Sequence, residues 1–169
     1  MQSIATVFRR GGIIIGDSTT AVYPPGVDDI ADIIYTEADR FKAQPIQSIA
    51  FPGATIAQQK TYWLANTQRS SVAWVTVQIG LNEMNPAVST TAAVIAAYQD
   101  LIDTIRADNA TCKIYGLTMT PAYEDWAPAA WDPTLAHARW VALNDAIMGR
   151  GSSPITGLNR VSEVHTFSM

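Results

Sequence analysis

Residues 11–20 read GGIIIGDSTT, in which three consecutive isoleucines lie between glycines and the run ends in Gly16-Asp17-Ser18. β-branched residues favour strands, and a short apolar run bounded by glycine is typical of a strand that is buried on both faces. Strands of this kind occur in parallel sheets covered by helices. The stretch therefore predicts a central strand of a parallel sheet, with a small polar loop at its carboxyl end.

The rest of the chain alternates between strand-like and helix-like segments. Four further short segments are rich in β-branched residues, at 46–51, 72–79, 112–119 and approximately 159–167. Between them, apolar residues recur at three- and four-residue steps, which predicts helices over 27–41, 94–105 and 137–148 and, more weakly, over 54–65. The last of the clear repeats consists of His137, Val141, Asn144 and Met148. This alternation predicts an α/β fold with parallel strands, right-handed crossovers and helices on both faces.

Length and composition limit the class of protein. A chain of 169 residues with 48% hydrophobic and 15% charged residues can build one domain with a substantial core, and we expect a single domain over 1–169. Eleven Lys and Arg residues against fifteen Asp and Glu give a formal net charge of −4. This balance argues against nucleic-acid and membrane partners, because those need a basic surface. The oligomeric state stays open.

The sequence also predicts neither a disulfide nor a membrane segment. Cys112 is the single cysteine, so no intrachain disulfide can form. Arg9 and Arg10 precede only three isoleucines, which is not the apolar core of a signal peptide, and no run is long enough to cross a bilayer. The localisation therefore stays open. The acidic residues Glu124 and Asp125 have no His or Cys at ligand spacing, so no metal or other cofactor is predicted.

Three loops follow the carboxyl ends of the first three strands, where open α/β sheets bind ligands. They read GDSTTAVYPP (16–25), PGATIAQQ (52–59) and GLNEMNP (80–86). Ser18 could act as a nucleophile, Gly53 could turn its N–H toward a ligand, and the Asn82 amide could donate to an oxyanion. In isolation each residue is more often a turn or helix-capping residue. Their shared position at one edge of the sheet favours a catalytic site.

These motifs resemble blocks I, II and III of the SGNH hydrolases, also called the GDSL esterase and lipase superfamily. The matching stretches are IIIGDSTT, AFPGATIAQ and VTVQIGLNEM, and the resemblance extends over nearly the whole chain. It implies a three-layer αβα sandwich with a five-stranded parallel sheet in the order 2-1-3-4-5, the flavodoxin-like SGNH hydrolase fold. It also implies that Ser18 is the nucleophile. The oxyanion hole would then consist of the N–H groups of Ser18 and Gly53 and the side-chain amide of Asn82.

The resemblance implies a serine esterase that acts without a cofactor. A compact domain with no large insertion suits small acyl esters, acetyl esters among them, of small-molecule or carbohydrate alcohols. An alternative is a catalytically incomplete binding module on the same fold. A flavodoxin-like phosphate or nucleotide binder is a third possibility, but the first loop has no glycine-rich phosphate cradle followed by lysine.

Two features depart from the family pattern. Glu83 stands where block III usually has Asp, and the fourth block, Asp-x-x-His, is absent. His137 lies on a predicted helical stripe and is expected to be a structural or partly exposed residue. His165 follows Glu163 on the predicted fifth strand, roughly 14 Å from the first strand, whereas a base must come within about 3 Å of Ser18. We therefore expect that the chain lacks the C-terminal loop that carries the base.

The segment 121–133, PAYEDWAPAAWDP, is a long loop after the predicted fourth strand. Its aromatic residues Tyr123, Trp126 and Trp131 could line an acyl or sugar pocket, or they could pack the loop onto its own domain. Its acidic residues, including Asp132, are expected to be solvated.

Overall fold

The computed structural model describes residues 11–21, 46–85, 89–119 and 132–159. These residues contain four strands, three α-helices and one 3-10 turn. The strands are β1 (Gly12–Gly16), β2 (Ile46–Ser48), β3 (Trp74–Gln78) and β4 (Lys113–Gly116). The helices are α1 (Ile56–Ala65), α2 (Thr91–Asp108) and α3 (Pro133–Ile147), and the 3-10 turn is Leu81–Glu83.

The four strands form one parallel sheet in the order β2-β1-β3-β4. This confirms the α/β fold and the first four positions of the expected strand order. Of the predicted fifth strand, only its first residue is described, and Asn159 N donates to Ile114 O of β4 at 2.7 Å. The remainder of that strand and the predicted helix over 27–41 lie outside the described residues.

One face of the sheet forms the core with the helices. Ile13 and Ile15 of β1 are in register with Val75 and Val77 of β3, and all four side chains are fully buried in one apolar cluster. The connections from β2 to β3 and from β3 to β4 run in the same direction across the sheet, so crossovers of the usual right hand place α1 and α2 on one face. On this face α1 contacts α2, and α2 contacts α3. The Tyr98 hydroxyl, from α2, donates to Val77 O at 3.1 Å. The isoleucines at 13 and 15 therefore pack under the described helices.

Side chains at the N-termini fix where the helices begin. Thr55 and Gln58 form a reciprocal capping box at α1, and the Thr90 hydroxyl caps α2. The exposed Asp132 carboxylate accepts from Thr134 N at 2.9 Å and from the next amide, and so caps α3. Asp132 is solvated, as expected, and it also starts a helix.

The buried face of α3 differs from the predicted one. The helix is present, but Val141 is 38% and Met148 36% exposed, and His137 is exposed as well. The buried side chains are instead those of Ala136, Arg139, Leu143, Asn144, Ala146 and Ile147. Apolar residues occur on all sides of this segment, so its periodicity does not determine which side packs. The predicted stripe is therefore displaced by about one residue from the face that packs. Of its four residues, only Asn144 is buried.

Gly80, before the 3-10 turn, has a backbone conformation and close neighbours that favour glycine. Its φ is +130°, and a Cβ there would lie 2.7 Å from Leu143 Cδ2 and 3.2 Å from Met119 Sδ. We expect Gly80→Ala to lower the free energy of unfolding by roughly 1–3 kcal/mol, because it adds steric overlap to a strained backbone. Urea denaturation of both proteins measures this difference.

Gly53→Ala is the matched control for that measurement. Gly53 also has a positive φ, +75°, but a Cβ there would meet no atom within 4 Å. Gly53→Ala should therefore lower the free energy of unfolding by less than Gly80→Ala does, by about 1 kcal/mol. Equal losses at the two positions would contradict the packing explanation for Gly80.

Candidate active site

The turn that carries Ser18 is held by the side chain of Asp17. Asp17 is 1% exposed, and its Oδ1 accepts from Thr19 N at 3.0 Å and from Thr19 Oγ1 at 2.8 Å. The backbone oxygen of Asp17 accepts from Thr20 N and Ala21 N. The Thr20 hydroxyl also donates to Gln78 Oε1 at 3.1 Å, at the end of β3. These contacts fix the conformation of the turn at the carboxyl end of the central strand.

Ser18 lies at the first position of this turn and is half-buried. Within the described part of the chain, neither its hydroxyl nor its backbone N–H has a hydrogen-bond partner. The described residues therefore leave both groups unoccupied, and the roles of nucleophile and donor that the sequence suggests for them stay predictions.

Gly53 lies in the turn between β2 and α1. Its φ of +75° is the left-handed conformation that glycine adopts without strain. Phe51 N donates to Gly16 O at 3.2 Å, which joins this turn to the end of β1, and Ala54 N donates back to Phe51 O. The Gly53 N–H has no acceptor among the described residues. That the Gly53 N–H faces a ligand stays a prediction.

Asn82 is in the 3-10 turn that follows β3. Its Nδ2 donates to Ala54 O at 2.9 Å, directly after Gly53. An amide nitrogen carries two protons, so one remains for another acceptor. The hydrogen bonds through Gly16 O and Ala54 O thus connect the three loops that carry Ser18, Gly53 and Asn82, although no described hydrogen bond joins Ser18 itself to either of the other two residues.

Glu83 makes a contact that the sequence did not indicate. Its Oε1 accepts from Ile56 N, at the start of α1, at 2.5 Å. Burial raises the pKa of the Glu83 carboxyl above its ordinary value, the hydrogen bond from Ile56 opposes this increase, and the nearby Asp17 adds to it. The glutamate at this position therefore binds block III to the first turn of α1.

Arg139 is a second residue that sequence reasoning missed. It is 5% exposed, and its Nη1 donates to Glu83 O at 2.7 Å and to Asn85 O at 2.8 Å, while Nη2 donates to Ser89 O. A buried arginine inside an apolar helical pattern has no sequence signature of its own. Its guanidinium holds the loop that follows Asn82 against α3.

The histidines and the aromatic loop are only partly described. His137 is exposed on α3 and stacks on Trp140, with ring centroids 5.4 Å apart, which agrees with the expectation of a partly exposed helix residue. His165 lies outside the described residues, as do the aromatic residues of the 121–133 loop, Tyr123, Trp126 and Trp131.

The described residues contain neither a metal-binding cluster nor a membrane-spanning helix. No group of three or more His, Cys, Asp or Glu side chains among them could hold a metal ion. No helix in the described ranges combines the length and the apolar character needed to cross a bilayer.

Cys112 is buried, and its burial raises the pKa of the thiol.

Comparison with known proteins identifies the family. The model of the GDSL-like lipase/acylhydrolase family matches residues 14–152, whereas a search of curated proteins finds no match. The fold is similar to that of a lipase/acylhydrolase from Enterococcus faecalis, with a TM-score of 0.63 and 17% identity over 81% of this chain and 70% of that one. A GDSL-like lipase from Bacteroides thetaiotaomicron has a TM-score of 0.60 and 18% identity over 82% and 62% of the two chains.

A third similar structure is that of a psychrotrophic esterase from Pseudoalteromonas sp., with a TM-score of 0.55 and 14% identity over 83% of this chain and 75% of that one. At such identities these structures show a shared fold. The family model, in contrast, spans most of the chain and includes the Ser18, Gly53 and Asn82 loops. The chain therefore belongs to the GDSL-like lipase/acylhydrolase family.

Proposed function

We propose that this protein is a serine esterase in which Ser18 attacks small acyl esters, including acetyl esters of small-molecule or carbohydrate alcohols. The observation that carries the proposal is the Ser18 hydroxyl at the end of the central strand, which has no hydrogen-bond partner among the described residues. The Gly53 loop is hydrogen-bonded to Gly16 O at the end of the same strand, and the Asn82 loop is hydrogen-bonded to the Gly53 loop through Ala54 O. Family membership supports the same chemistry.

In the first step, Ser18 Oγ forms a bond to the ester carbonyl carbon and loses its proton to a general base. The carbonyl oxygen becomes an oxyanion. It would be stabilised by the N–H groups of Ser18 and Gly53 and by the second N–H of the Asn82 amide, the one that does not bind Ala54 O. Donors held in place before the reaction stabilise this charge without reorganisation. The tetrahedral intermediate then collapses, the C–O bond to the alcohol breaks, and the alcohol leaves with a proton returned by the base.

In the second step, water attacks the acyl-Ser18 carbonyl carbon, gives its proton to the base and releases the acid as Ser18 Oγ recovers a proton. We place the base outside the described residues, because the described histidine, His137, stacks on Trp140 and is exposed on α3. The proposal for Ser18 does not depend on which residue supplies this base.

Covalent labelling tests the nucleophile directly. A fluorophosphonate probe should modify the folded protein, slowly if the base is weak, and mass spectrometry should locate the adduct on the peptide that contains Ser18. A phosphonate is a tetrahedral mimic of the ester intermediate, and the Pseudoalteromonas esterase was solved with monoethylphosphonate as inhibitor. The Ser70→Ala variant is the matched control, because Ser70 is an exposed serine in a turn outside the three site loops.

Labelling that persists in Ser70→Ala and disappears in Ser18→Ala would support the proposal. A folded protein that is never labelled would instead point to the binding module on the same fold. An adduct on another residue would require a different nucleophile.

A further inference from the structure

Arg139 is a buried cation that binds only uncharged groups among the described residues. The residue is 5% exposed. Its Nη1 donates to Glu83 O at 2.7 Å, to Asn85 O at 2.8 Å and to Ser89 Oγ at 3.4 Å, and its Nη2 donates to Ser89 O. The Nε group is also buried and has no acceptor in the described part of the chain. Every described hydrogen bond of this guanidinium therefore goes to the segment that begins directly after Asn82.

The burial of this charge indicates a specific role for the side chain. A buried charge lowers stability unless a partner charge or several hydrogen bonds compensate it, and no described carboxylate forms an ion pair with Arg139. A guanidinium carries five N–H donors in a rigid planar arrangement, so it can hold several backbone oxygens in one geometry. An apolar side chain could fill the same space but could not fix those oxygens. Position 139 therefore serves to fix the segment after Asn82.

Helix α3 contacts the Asn82 turn at both of its ends. The 3-10 helix that contains Asn82 is a single turn, so its last carbonyls have no further N–H of the same turn to accept from. Arg139 supplies a donor to one of them, Glu83 O. Leu143, four residues further along α3 and on the same face of the helix, lies against Gly80, directly before the turn. Asn82 therefore lies between two contacts with one face of one helix.

The contact with α3 restrains the turn in a way that its other contacts do not. The Asn82 amide donates to Ala54 O at 2.9 Å, but one hydrogen bond fixes a distance and leaves the amide free to tilt about it. The Glu83 carboxylate accepts from Ile56 N at 2.5 Å, but rotatable side-chain bonds separate this contact from the backbone. The Arg139 guanidinium binds the backbone oxygen itself. It therefore restrains the chain on the side of Asn82 that the Ala54 hydrogen bond leaves free.

We propose that Arg139 is a positioning residue for the Asn82 amide. By fixing the backbone directly after Asn82, it keeps the N–H that does not bind Ala54 O in one place beside the Gly53 loop. A donor that is already in place stabilises an oxyanion without reorganisation. The effect on catalysis rests on the proposed esterase activity, whereas the placement of the amide does not.

A double-mutant cycle separates this role from a general loss of stability. Arg139→Met keeps a long apolar chain but removes the donors. In hydrolysis of p-nitrophenyl acetate, at a temperature where every variant is folded, it should lower kcat on the order of tenfold with little change in KM. This is less than the loss in Asn82→Ala, because the amide is displaced rather than removed. In the Asn82→Ala background, Arg139→Met should change kcat by less than about twofold, because no amide is left to position.

An NMR measurement tests the placement of the amide without turnover. In the intact ¹⁵N-labelled protein, the two side-chain N–H signals of Asn82 are the pair that Asn82→Ala lacks. We expect both signals to shift and broaden in Arg139→Met, because the amide then samples several orientations. If Arg139→Met does not fold, Arg139→Lys takes its place in both measurements. A single ammonium cannot bind all the backbone oxygens that the guanidinium binds, so the same changes should appear with smaller size.

Arg69→Met is the matched control. Arg69 also donates to a backbone oxygen, Asn66 O at 2.9 Å, at the end of α1 away from the Asn82 contact. This variant should leave kcat and the Asn82 signals unchanged, even where its melting temperature falls.

Two results would overturn the proposal. One is a pair of Asn82 signals that is the same in Arg139→Met as in the unmodified protein. The other is a double variant in which the kcat losses of Arg139→Met and Asn82→Ala multiply. A protein without esterase activity would overturn the proposed function instead, and the NMR measurement would still decide whether Arg139 places the amide.

Discussion

Ser18→Ala is expected to lower kcat/KM for p-nitrophenyl acetate by a factor on the order of 10³ or more. Removing the hydroxyl removes the atom that forms the acyl-enzyme, and the remaining donors can only polarise the ester carbonyl. The fold should be retained, because the Ser18 hydroxyl makes no hydrogen bond with any described group and the Asp17–Thr19 contacts that shape the turn stay in place. Steady-state kinetics and the melting temperature measure the two effects.

Ser70→Ala should hydrolyse the ester at the rate of the unmodified protein. If Ser18→Ala retained its activity, hydrolysis would come from another nucleophile or from a contaminant. If its melting temperature fell strongly as well, the loss of activity would reflect unfolding, and Ser18 would have to be tested by labelling alone.

Asn82→Ala is expected to lower kcat by about 10²- to 10³-fold, equivalent to roughly 2.7–4 kcal/mol of transition-state stabilisation. One amide proton binds Ala54 O, and the other would donate to the oxyanion. Loss of the Ala54 hydrogen bond should reduce stability by only about 1 kcal/mol. KM should change little, because the donor acts on charge that develops in the transition state.

Asn66→Ala is the matched control for this variant. Asn66 is a buried asparagine whose amide donates to Gln47 Oε1 at 2.9 Å, at the end of α1 away from the Asn82 contact. It should lose stability without a change in kcat. A large fall in the melting temperature of Asn82→Ala with an unchanged kcat would make Asn82 a structural turn residue.

The strands of the described region were predictable because their signals are local. The three consecutive isoleucines at 13–15 indicate a strand that is buried on both faces, as β1 is. The valines at 75 and 77 alternate with less buried residues, which indicates a strand with one more deeply buried face, as β3 is. Right-handed crossovers then restrict how such strands can be ordered. The loops with Ser18, Gly53 and Asn82 follow directly from where those strands end.

The orientation of α3 was not predictable in the same way. Leu135, Val141 and Leu143 are comparable in hydropathy, yet Leu135 is 55% exposed and Leu143 is fully buried. In a helix with apolar residues on every side, the neighbouring elements select the packed face. Here Leu143 Cδ2 lies against Gly80, whose missing side chain leaves the space for it.

By itself, the sequence determined the α/β class, the places where the strands end, and the residue types that stand at those ends. These properties depend on short segments and on backbone conformations that neighbouring residues set. Only the tertiary structure decided that Asn82 binds Ala54 O, that Glu83 reaches Ile56 N and that Arg139 holds the Glu83 loop. Each of these contacts joins residues 27 to 56 positions apart, so its existence depends on how two elements are placed in space, which no local pattern encodes.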